Sequence, residues 1–199
     1  IGAFNAYIQF DSLEIVLRIN NNHSQWLDTI MYYTTSLGNG WVFVGLILVS
    51  LLFRIRYGFV ALFTLLSHGI IVQFLKKIVF SEVRRPLYYL EAVDLHFVEG
   101  VRVHTNYSFP SGHTATVFAF FTTILLISKN PRLSLPLLAI SIAGGFSRIY
   151  LIQHFVEDVL VGSLIGVGSA FLSYYWICES GRAPFEKKAW MDKPLIKLR

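Results

Sequence analysis

Long apolar runs recur along this 199-residue chain and limit what it can fold into. An α-helix needs roughly 20 apolar residues to cross the hydrocarbon core of a bilayer. Candidate spans cover residues 57–75, 114–128 with the turn before it, 133–152 and 155–178, and a shorter run covers 41–53. Charged residues make up only 15% of the sequence, against about 25% in soluble domains. The sequence therefore predicts an all-α, polytopic membrane helix bundle.

The first 36 residues carry a weaker signal. Residues 1–10 are apolar but too short to cross a bilayer, which suits the end of a truncated first helix. Residues 11–36 mix apolar and polar positions at helical spacing, which favours an interfacial amphipathic segment rather than a span. Counting a first helix, we expect about six transmembrane helices in a single membrane-embedded domain over residues 1–199.

The positions of the basic residues predict the orientation. Three groups fall on one side of the alternating spans: Arg54 with Arg56, Lys129 with Arg132, and the tail residues Lys187, Lys188, Lys193, Lys197 and Arg199. The positive-inside rule makes that side cytoplasmic and the loop 81–110 extracytoplasmic. The net charge of +5 lies between apolar segments and in the tail, so it does not predict a nucleic-acid partner. A single cysteine excludes an internal disulfide.

The stretch YSFPSGHT, residues 107–114, stands immediately before an apolar run. Ser111 can cap a helix, and Gly112 allows a ligand to approach the backbone. The first turn of such a helix offers N–H groups that have no partner within the helix, which makes it an anion site. The pattern therefore predicts a helix start at which His113 and an anion can meet.

The stretch SRIYLIQHFVED, residues 147–158, carries a second histidine. His154 and Asp158 are four residues apart and share a face if the segment is helical. A carboxylate that accepts the N–H of an imidazole fixes its tautomer and leaves the other nitrogen free to attack. An isolated pair of this kind could equally serve only to join two helices.

Cations from separate segments accompany these histidines at the same predicted membrane face. Lys77, Arg85 and Arg148, together with a helix N-terminus, would form a clamp for a phosphate. One histidine would act as the nucleophile and the second would provide a proton. The sequence has no HExxH motif, cysteine cluster or acidic cluster, so we expect phosphoryl chemistry without a metal or other cofactor.

At these residues the chain resembles the type 2 phosphatidic acid phosphatase family, which shares its active-site pattern with vanadium-dependent haloperoxidases. That pattern is Lys, six residues and Arg-Pro; then PSGH; then Ser-Arg, five residues, His, three residues and Asp. Residues 110–113 match the second part fully. Ser147, Arg148, His154 and Asp158 match the third part in type and spacing.

The first part of the pattern departs from the family. The residue seven before Arg85 is Ile78, whereas Lys77 stands eight before Arg85 and seven before Arg84. One extra residue, held in a π-bulge, would pair Lys77 with Arg85. Alternatively, Arg84 takes the place of Arg85.

The resemblance implies a role for each matched residue. His154 would attack phosphorus and form a phosphohistidine, Asp158 would orient it, and His113 would protonate the leaving oxygen and then activate water. The phosphate oxygens would be held by Lys77, Arg85, Ser111, Gly112 and Arg148.

The implied activity is hydrolysis of a lipid phosphate or pyrophosphate. Substrates of this kind include phosphatidic acid, phosphatidylglycerophosphate, undecaprenyl pyrophosphate and lipid A, and the expected location is the periplasmic face of a bacterial inner membrane. Alternatives are a lipid phosphotransferase using the same intermediate, and a non-enzymatic lipid-binding or transport bundle. Loop 81–110 would serve as a lid over a lipid substrate, or it is a simple surface loop that Pro86 opens with a short helix.

Overall fold

In the computed structural model, which describes residues 2–90, 92–181 and 188–196, helices account for the whole regular structure. Eight α-helices lie in these ranges: α1 Gly2–Asn21, α2 Gln25–Ser36, α3 Gly40–Phe53, α4 Ile55–Phe74, α5 Pro86–Tyr89, α6 Gly112–Ser128, α7 Ser134–Tyr150 and α8 Val156–Cys178. A π-helical turn, Leu75–Val79, extends α4, and short 3-10 helices cover Pro131–Leu133 and Ala189–Asp192. The predicted all-α class is confirmed.

Three helical segments are long and apolar enough to cross a membrane: Ile55–Val79, Pro131–Tyr150 and Val156–Cys178. Helices α2 and α3 meet the same test only as a pair, bent by 55° at the break between them. Helix α6 is apolar but shorter. The described residues thus support a multi-pass membrane bundle with three spans, or four with the bent pair. The predicted number of about six is not confirmed.

The N-terminal region differs from the sequence prediction. Helix α1 runs unbroken across the predicted boundary between residues 10 and 11, and residues 11–36 are not one segment. The asparagines explain the break, because a short amide side chain competes with the backbone for helical hydrogen bonds. The Asn22 side chain donates to the Arg18 carbonyl (2.7 Å), and Ser24 is extended before α2 begins.

The centre of the bundle depends on the close approach of α6 and α8. A Cβ atom on Gly166 would stand 2.3 Å from the Ala115 carbonyl oxygen, and one on Gly162 would stand 2.5 Å from the Ser111 carbonyl oxygen. The two glycines are four residues apart, so they form one smooth strip on α8. This contact holds the first two turns of α6 directly against α8.

Helices α4 and α7 complete the core on either side of this pair. Gly144 of α7 lies against Val117, and Val60 of α4 packs with Tyr174 and Ile177 near the C-terminal end of α8. As a result, the C-terminal ends of α4 and α7 and the N-terminal ends of α6 and α8 meet at one end of the bundle.

The described part of the C-terminal tail packs at the other end. The Ile55 N–H donates to the Lys193 carbonyl (3.0 Å), and the Leu195 N–H donates to the Leu51 carbonyl (2.9 Å). Met191 is fully buried there. Of the predicted basic tail, Lys187, Lys197 and Arg199 lie outside the described residues.

The glycine strip gives a matched test of packing. Gly166→Ala should destabilise the protein by about 1–3 kcal/mol, because its new Cβ atom meets backbone of α6 that cannot move aside. Gly168→Ala is the control, since a Cβ atom there meets nothing within 4 Å. Both substitutions carry the same gain in helix propensity, about 1 kcal/mol. Thermal unfolding in detergent measures the difference, and equal stabilities for the two variants would contradict the described contact.

Candidate active site

The predicted site residues gather where α4 and α7 end and α6 and α8 begin. Helix α2 crosses beside them, and the loop between α5 and α6 lies over them. Each helix contributes an end rather than a middle, so polar side chains are held at the boundary of the apolar bundle. We call this end of the molecule the site end.

The turn between α7 and α8 positions His154. The N–H groups of Gln153 and His154 both donate to the Arg148 carbonyl, at 2.9 and 3.2 Å. Ile152 adopts a left-handed conformation with φ +56°, which is strained for a β-branched residue and is typical of functional turns. This reversal of the chain places His154 just before the start of α8, with 1% of its surface exposed.

Asp158 orients this histidine. Its Oδ2 atom lies 3.0 Å from Nδ1 of His154 and also accepts from the Phe155 N–H at 3.0 Å. The Ser108 hydroxyl donates to the same oxygen. With the carboxylate on Nδ1, the proton resides there and Nε2 carries the lone pair.

The surroundings keep His154 neutral. Burial, reinforced by the nearby positive charges of Arg85 and Arg148, holds the pKa of the His154 imidazole well below its usual range. Burial lowers the pKa of a base because it disfavours the charged form. A neutral imidazole that is close enough to Arg85, Arg148 and Lys76 to feel their charges is ready to attack an anion that those cations attract.

Arg85 and Arg84 have different surroundings. Arg85 donates from Nη1 to the Gln153 side chain (2.8 Å) and from Nε to the Asn106 carbonyl (2.9 Å), and it interacts electrostatically with Asp158. Arg84 donates to the Asn106 side-chain oxygen and lies 5.3 Å from the centre of the Tyr88 ring. The structure therefore brings Arg85, and not Arg84, to the histidines.

Arg148 is the most buried cation of the site. It is 6% exposed, and its Nη1 donates to the Thr35 hydroxyl of α2. Its buried Nε atom has no hydrogen-bond partner within the described part of the chain. A buried unpaired donor costs roughly 1–3 kcal/mol, and such groups are rare enough to require an explanation. An anion bound beside His154 would satisfy it.

The lysine of the site is Lys76 rather than the predicted Lys77. Lys76 is half-buried and interacts electrostatically with Arg85, Asp158 and Arg148, whereas Lys77 is exposed. Both lysines lie in the predicted π-helical turn, where the Phe80 N–H donates to the Leu75 carbonyl (2.8 Å). A π turn holds more residues than an α turn, so it changes which lysine faces the site.

The PSGH turn begins α6 as predicted. The Ser111 hydroxyl accepts from the Thr114 hydroxyl (2.9 Å) and, more weakly, from its N–H (3.4 Å). The Ser111 N–H donates to the Asp158 carbonyl at 2.9 Å. Because Ser111 is fully buried, its hydroxyl acts here as a helix cap. Gly112 then opens the first turn of α6.

His113 completes the set. The positive charges of Arg148, Arg85 and Lys76 act on it. The turn between α2 and α3 covers one side of it, because a Cβ atom on Gly38 would stand 2.8 Å from the His113 Cβ atom. Both histidines therefore share one cationic environment, as the sequence predicts.

The predicted lid is a packed loop with an aromatic outer surface. Pro86 opens the short helix α5, as predicted. Leu90 is buried in a cluster with Val16 of α1 and Ile152. Tyr88, Tyr89 and Phe97 are exposed. The loop is therefore anchored on its inner side and presents apolar rings outward at the site end.

Comparison with known proteins places this arrangement in a family. A profile of the PAP2 superfamily matches residues 57–182, more than half of the chain. The chain belongs to the PAP2 superfamily. The family predicted from the motifs is confirmed, and with it the enzyme class, a membrane phosphatase that hydrolyses phosphate esters.

Solved PAP2 structures share the fold. The crystal structure of Aquifex aeolicus LpxE superimposes with a TM-score of 0.72 at 29% identity, over 82% of this chain and 94% of that one. A PAP2-type phosphatidylglycerolphosphate phosphatase from Bacillus subtilis gives 0.64 at 26% identity, over 84% of both chains. An undecaprenyl-diphosphatase from Sulfolobus acidocaldarius is 27% identical over 168 residues, which is 81% of this chain and 76% of the relative.

Besides Lys76, three residues of this PAP2 site escaped sequence reasoning. Gln153 is 1% exposed and joins Arg85 to the lid, where its side-chain amide donates to the Arg102 carbonyl (2.9 Å). Ser108 supports Asp158, and Thr35 supports Arg148. Of these three, only Gln153 could have been recognised from the sequence, because it is a polar amide directly before the motif residue His154 in an apolar segment. The other two act across 50 and 113 residues of sequence.

The two lysines of the π turn provide a direct test of the corrected site. Lys76→Ala should lower kcat/KM by on the order of 10²–10³, the usual cost of removing one oxyanion donor. Lys77→Ala changes the same residue type one position away on an exposed surface, so it should stay within a few-fold of wild type. Initial rates of phosphate release measure both. A larger loss at Lys77 than at Lys76 would show that the sequence prediction was right.

Proposed function

We propose that this protein removes the terminal phosphate from a membrane lipid phosphate or diphosphate through a phosphohistidine on His154. The observation that carries the proposal is the buried Arg148 guanidinium, whose Nε has no partner within the described residues and which lies among other cations around a neutral histidine. A phosphate would satisfy that donor and stand in reach of the nucleophile.

The first half-reaction uses the site as follows. Lys76, Arg85 and Arg148 hold the non-bridging phosphate oxygens, and the lone pair on His154 Nε2 attacks phosphorus. The bond between phosphorus and the lipid oxygen breaks as His113, whose protonated form is stabilised by the negative charge of the bound phosphate, gives its proton to that oxygen. Asp158 accepts the Nδ1–H bond and stabilises the positive charge that develops on the phosphohistidine.

The second half-reaction reverses these roles. His113, now neutral, takes a proton from water, and the oxygen attacks phosphorus of the phosphohistidine. Inorganic phosphate leaves, and both histidines return to their starting states. The three cations supply the charge stabilisation for which other phosphatases use a metal. No group of three His, Cys, Asp or Glu side chains in the described residues could hold a metal ion, and we propose a metal-independent reaction.

A lipid substrate fits the position of the site. The site end lies where the apolar helices finish, and the exposed rings of Tyr88, Tyr89 and Phe97 surround it. Two relatives are named for phosphatidylglycerolphosphate and undecaprenyl diphosphate, which differ in their tails but share a terminal phosphate on a membrane anchor. We therefore define the substrate class as membrane lipids that carry a terminal phosphate, whatever their hydrophobic tail.

The orientation of the protein follows from its charges. Arg54, Arg56 and Lys129 lie at the end of the bundle opposite His154. With those cations on the cytoplasmic side, the site faces the extracytoplasmic side. We propose the periplasmic face of a bacterial inner membrane, where exported lipids present their headgroups.

His154→Ala tests the chemistry. Turnover should fall by on the order of 10⁴-fold or more, because a deleted nucleophile has no substitute. Wild-type protein, assayed in excess chelator, should release inorganic phosphate and form an acid-labile phosphoenzyme that the variant lacks. His23→Ala is the control, since that ring stacks on His96 (3.8 Å between centroids) instead of joining the site. Phosphoenzyme in the His154 variant, or activity lost to chelator, would refute the scheme.

A chain-length series tests the substrate class. Each buried CH₂ contributes about 0.8 kcal/mol to membrane anchoring, so a long-chain lipid phosphate is concentrated at the site. We expect kcat/KM to exceed that for glycerol phosphate by at least about 10²-fold. Rates in mixed micelles at fixed surface dilution provide the measurement. Equal values for the soluble and the anchored phosphate would exclude a lipid substrate while leaving the phosphohistidine chemistry intact.

A further inference from the structure

Two adjoining cavities lie at the end of the bundle opposite the site end. One is an apolar cavity of about 650 Å³ between α3, α4 and α6, walled mainly by Leu46, Val49, Phe53, Ile124 and Ile127. The other is a polar cavity of about 380 Å³, and its charged and phenolic walls include Arg54, Arg56, Lys129, Tyr174 and Asp192. Arg54 and Tyr57 line both cavities. The cavities therefore adjoin at these two residues, and we call the pair a two-part space with an apolar part and a polar part.

The apolar part lies within the hydrophobic length of the bundle. Val49 is 51% exposed and Phe53 is 70% exposed, although both face the gap between α3 and α6. The volume is within the range of about 300–1,000 Å³ that is typical of ligand sites. At this depth, surrounded by apolar helices, an acyl chain is the chemically matched occupant.

The polar part carries an excess of positive charge, and two of its cations are exposed. Arg56 is held by Asp192 through two hydrogen bonds, from Nε (3.0 Å) and from Nη2 (3.1 Å). The Arg54 Nη1 atom lies 4.0 Å from Asp192 Oδ1, which is too far for a hydrogen bond, and the Arg54 side chain is 51% exposed. Lys129 is exposed and interacts with Tyr174 and Tyr57.

The charges that line the polar part do not cancel. Arg54, Arg56 and Lys129 face Asp192 and Glu179, which leaves one positive charge in excess. A phosphodiester carries one negative charge and offers oxygens that accept hydrogen bonds from a guanidinium and an ammonium. The polar part is therefore complementary to a phosphodiester headgroup in charge.

We propose that this two-part space binds an anionic phospholipid, with its phosphodiester between Arg54 and Lys129 and an acyl chain between α3 and α6. The site is separate from the catalytic one, because it lies at the other end of the bundle. Its ligand is a phosphodiester that the phosphatase reaction, which needs a terminal phosphate, leaves intact. The bound lipid joins the α3–α4 connection to the C-terminal end of α6.

Lipid binding at this site should raise thermal stability, since a ligand that binds only the folded state shifts unfolding to higher temperature. The probes are phosphatidylglycerol and phosphatidylcholine with identical acyl chains, each added to delipidated full-length protein. Native mass spectrometry counts the retained lipid, and thermal unfolding measures its effect. Glycerophosphoglycerol, which is the phosphodiester headgroup of phosphatidylglycerol without acyl chains, serves as the soluble comparison.

Two variants separate the polar part from the apolar part. Arg54→Gln combined with Lys129→Gln should weaken phosphatidylglycerol binding by about tenfold or more, the loss expected for one charge-assisted hydrogen bond. Phosphatidylcholine binding should weaken less, because the choline cation already offsets the charge of its phosphodiester. Val49→Trp fills the apolar part without changing charge, so it should weaken binding of phosphatidylglycerol even if the charge variant folds poorly. Arg132→Gln is the control, because Arg132 is an exposed cation at the same end that lines neither cavity.

The expected result is a stabilisation by phosphatidylglycerol that the control keeps and both test variants lose. An equal loss in Arg132→Gln would show diffuse attraction to a basic surface and overturn the proposal. Full phosphatidylglycerol preference in the double variant would do the same. Equal stabilisation by glycerophosphoglycerol would show that the polar part binds a soluble phosphodiester and that no acyl chain is involved.

Discussion

The carboxyl group of Asp158 holds the site together. Its Oδ2 atom accepts from His154, from the Phe155 backbone and from Ser108 of the lid. Its main-chain carbonyl accepts from the Ser111 N–H, which fixes the start of α6. A buried carboxylate costs several kcal/mol unless it is paired and hydrogen-bonded. The bonds that meet this requirement also join the α7–α8 turn and the lid to α8. The need to satisfy one buried charge therefore sets the position of the nucleophile, and the main-chain bond of the same residue sets the start of α6.

This arrangement depends on the distance between α6 and α8. Gly162 lies under the Ser111 carbonyl, one turn above Gly166 under Ala115. Side chains at these positions would separate the helices and carry the PSGH turn away from Asp158. Packing deep in the bundle and chemistry at its end are therefore linked by a single strip on one helix. A polar network of this kind is rigid only when the backbones that support it are close-packed.

How far the sequence predicted the site depended on the range of each interaction. His154 with Asp158, and Ser111 with His113, are local in sequence and were found, although His154 lies in the turn before α8 rather than on a helical face with Asp158. Lys76 was missed although a π turn was expected, because residue spacing does not show which side chain such a turn directs toward the site. Thr35 could not be found, because nothing near it in sequence marks the arginine that it contacts.

The bundle class was predictable for a similar reason. Apolar run length reports membrane crossing directly, so the helices that begin at Ile55 and Val156 were recognised. The prediction for the N-terminal region was wrong, because the helices there are defined by their tertiary contacts. Val16 of α1 packs against the lid, and Met31 of α2 packs against Tyr150 at the end of α7. Neither contact produces an apolar periodicity in the sequence that would distinguish these helices from an interfacial helix.

Helix α2 and the turn after it have a consequence for how such enzymes diverge. The recognisable family region begins at residue 57, yet Thr35 contacts Arg148 and Gly38 covers His113 from outside that region. The reacting groups and one wall of their chamber are thus encoded in separate stretches of the chain. Changes before residue 57 can reshape the approach to His113 while every motif residue stays in place. Motif identity therefore reports the reaction, whereas the N-terminal wall, which carries no motif residue, is free to select what reaches it.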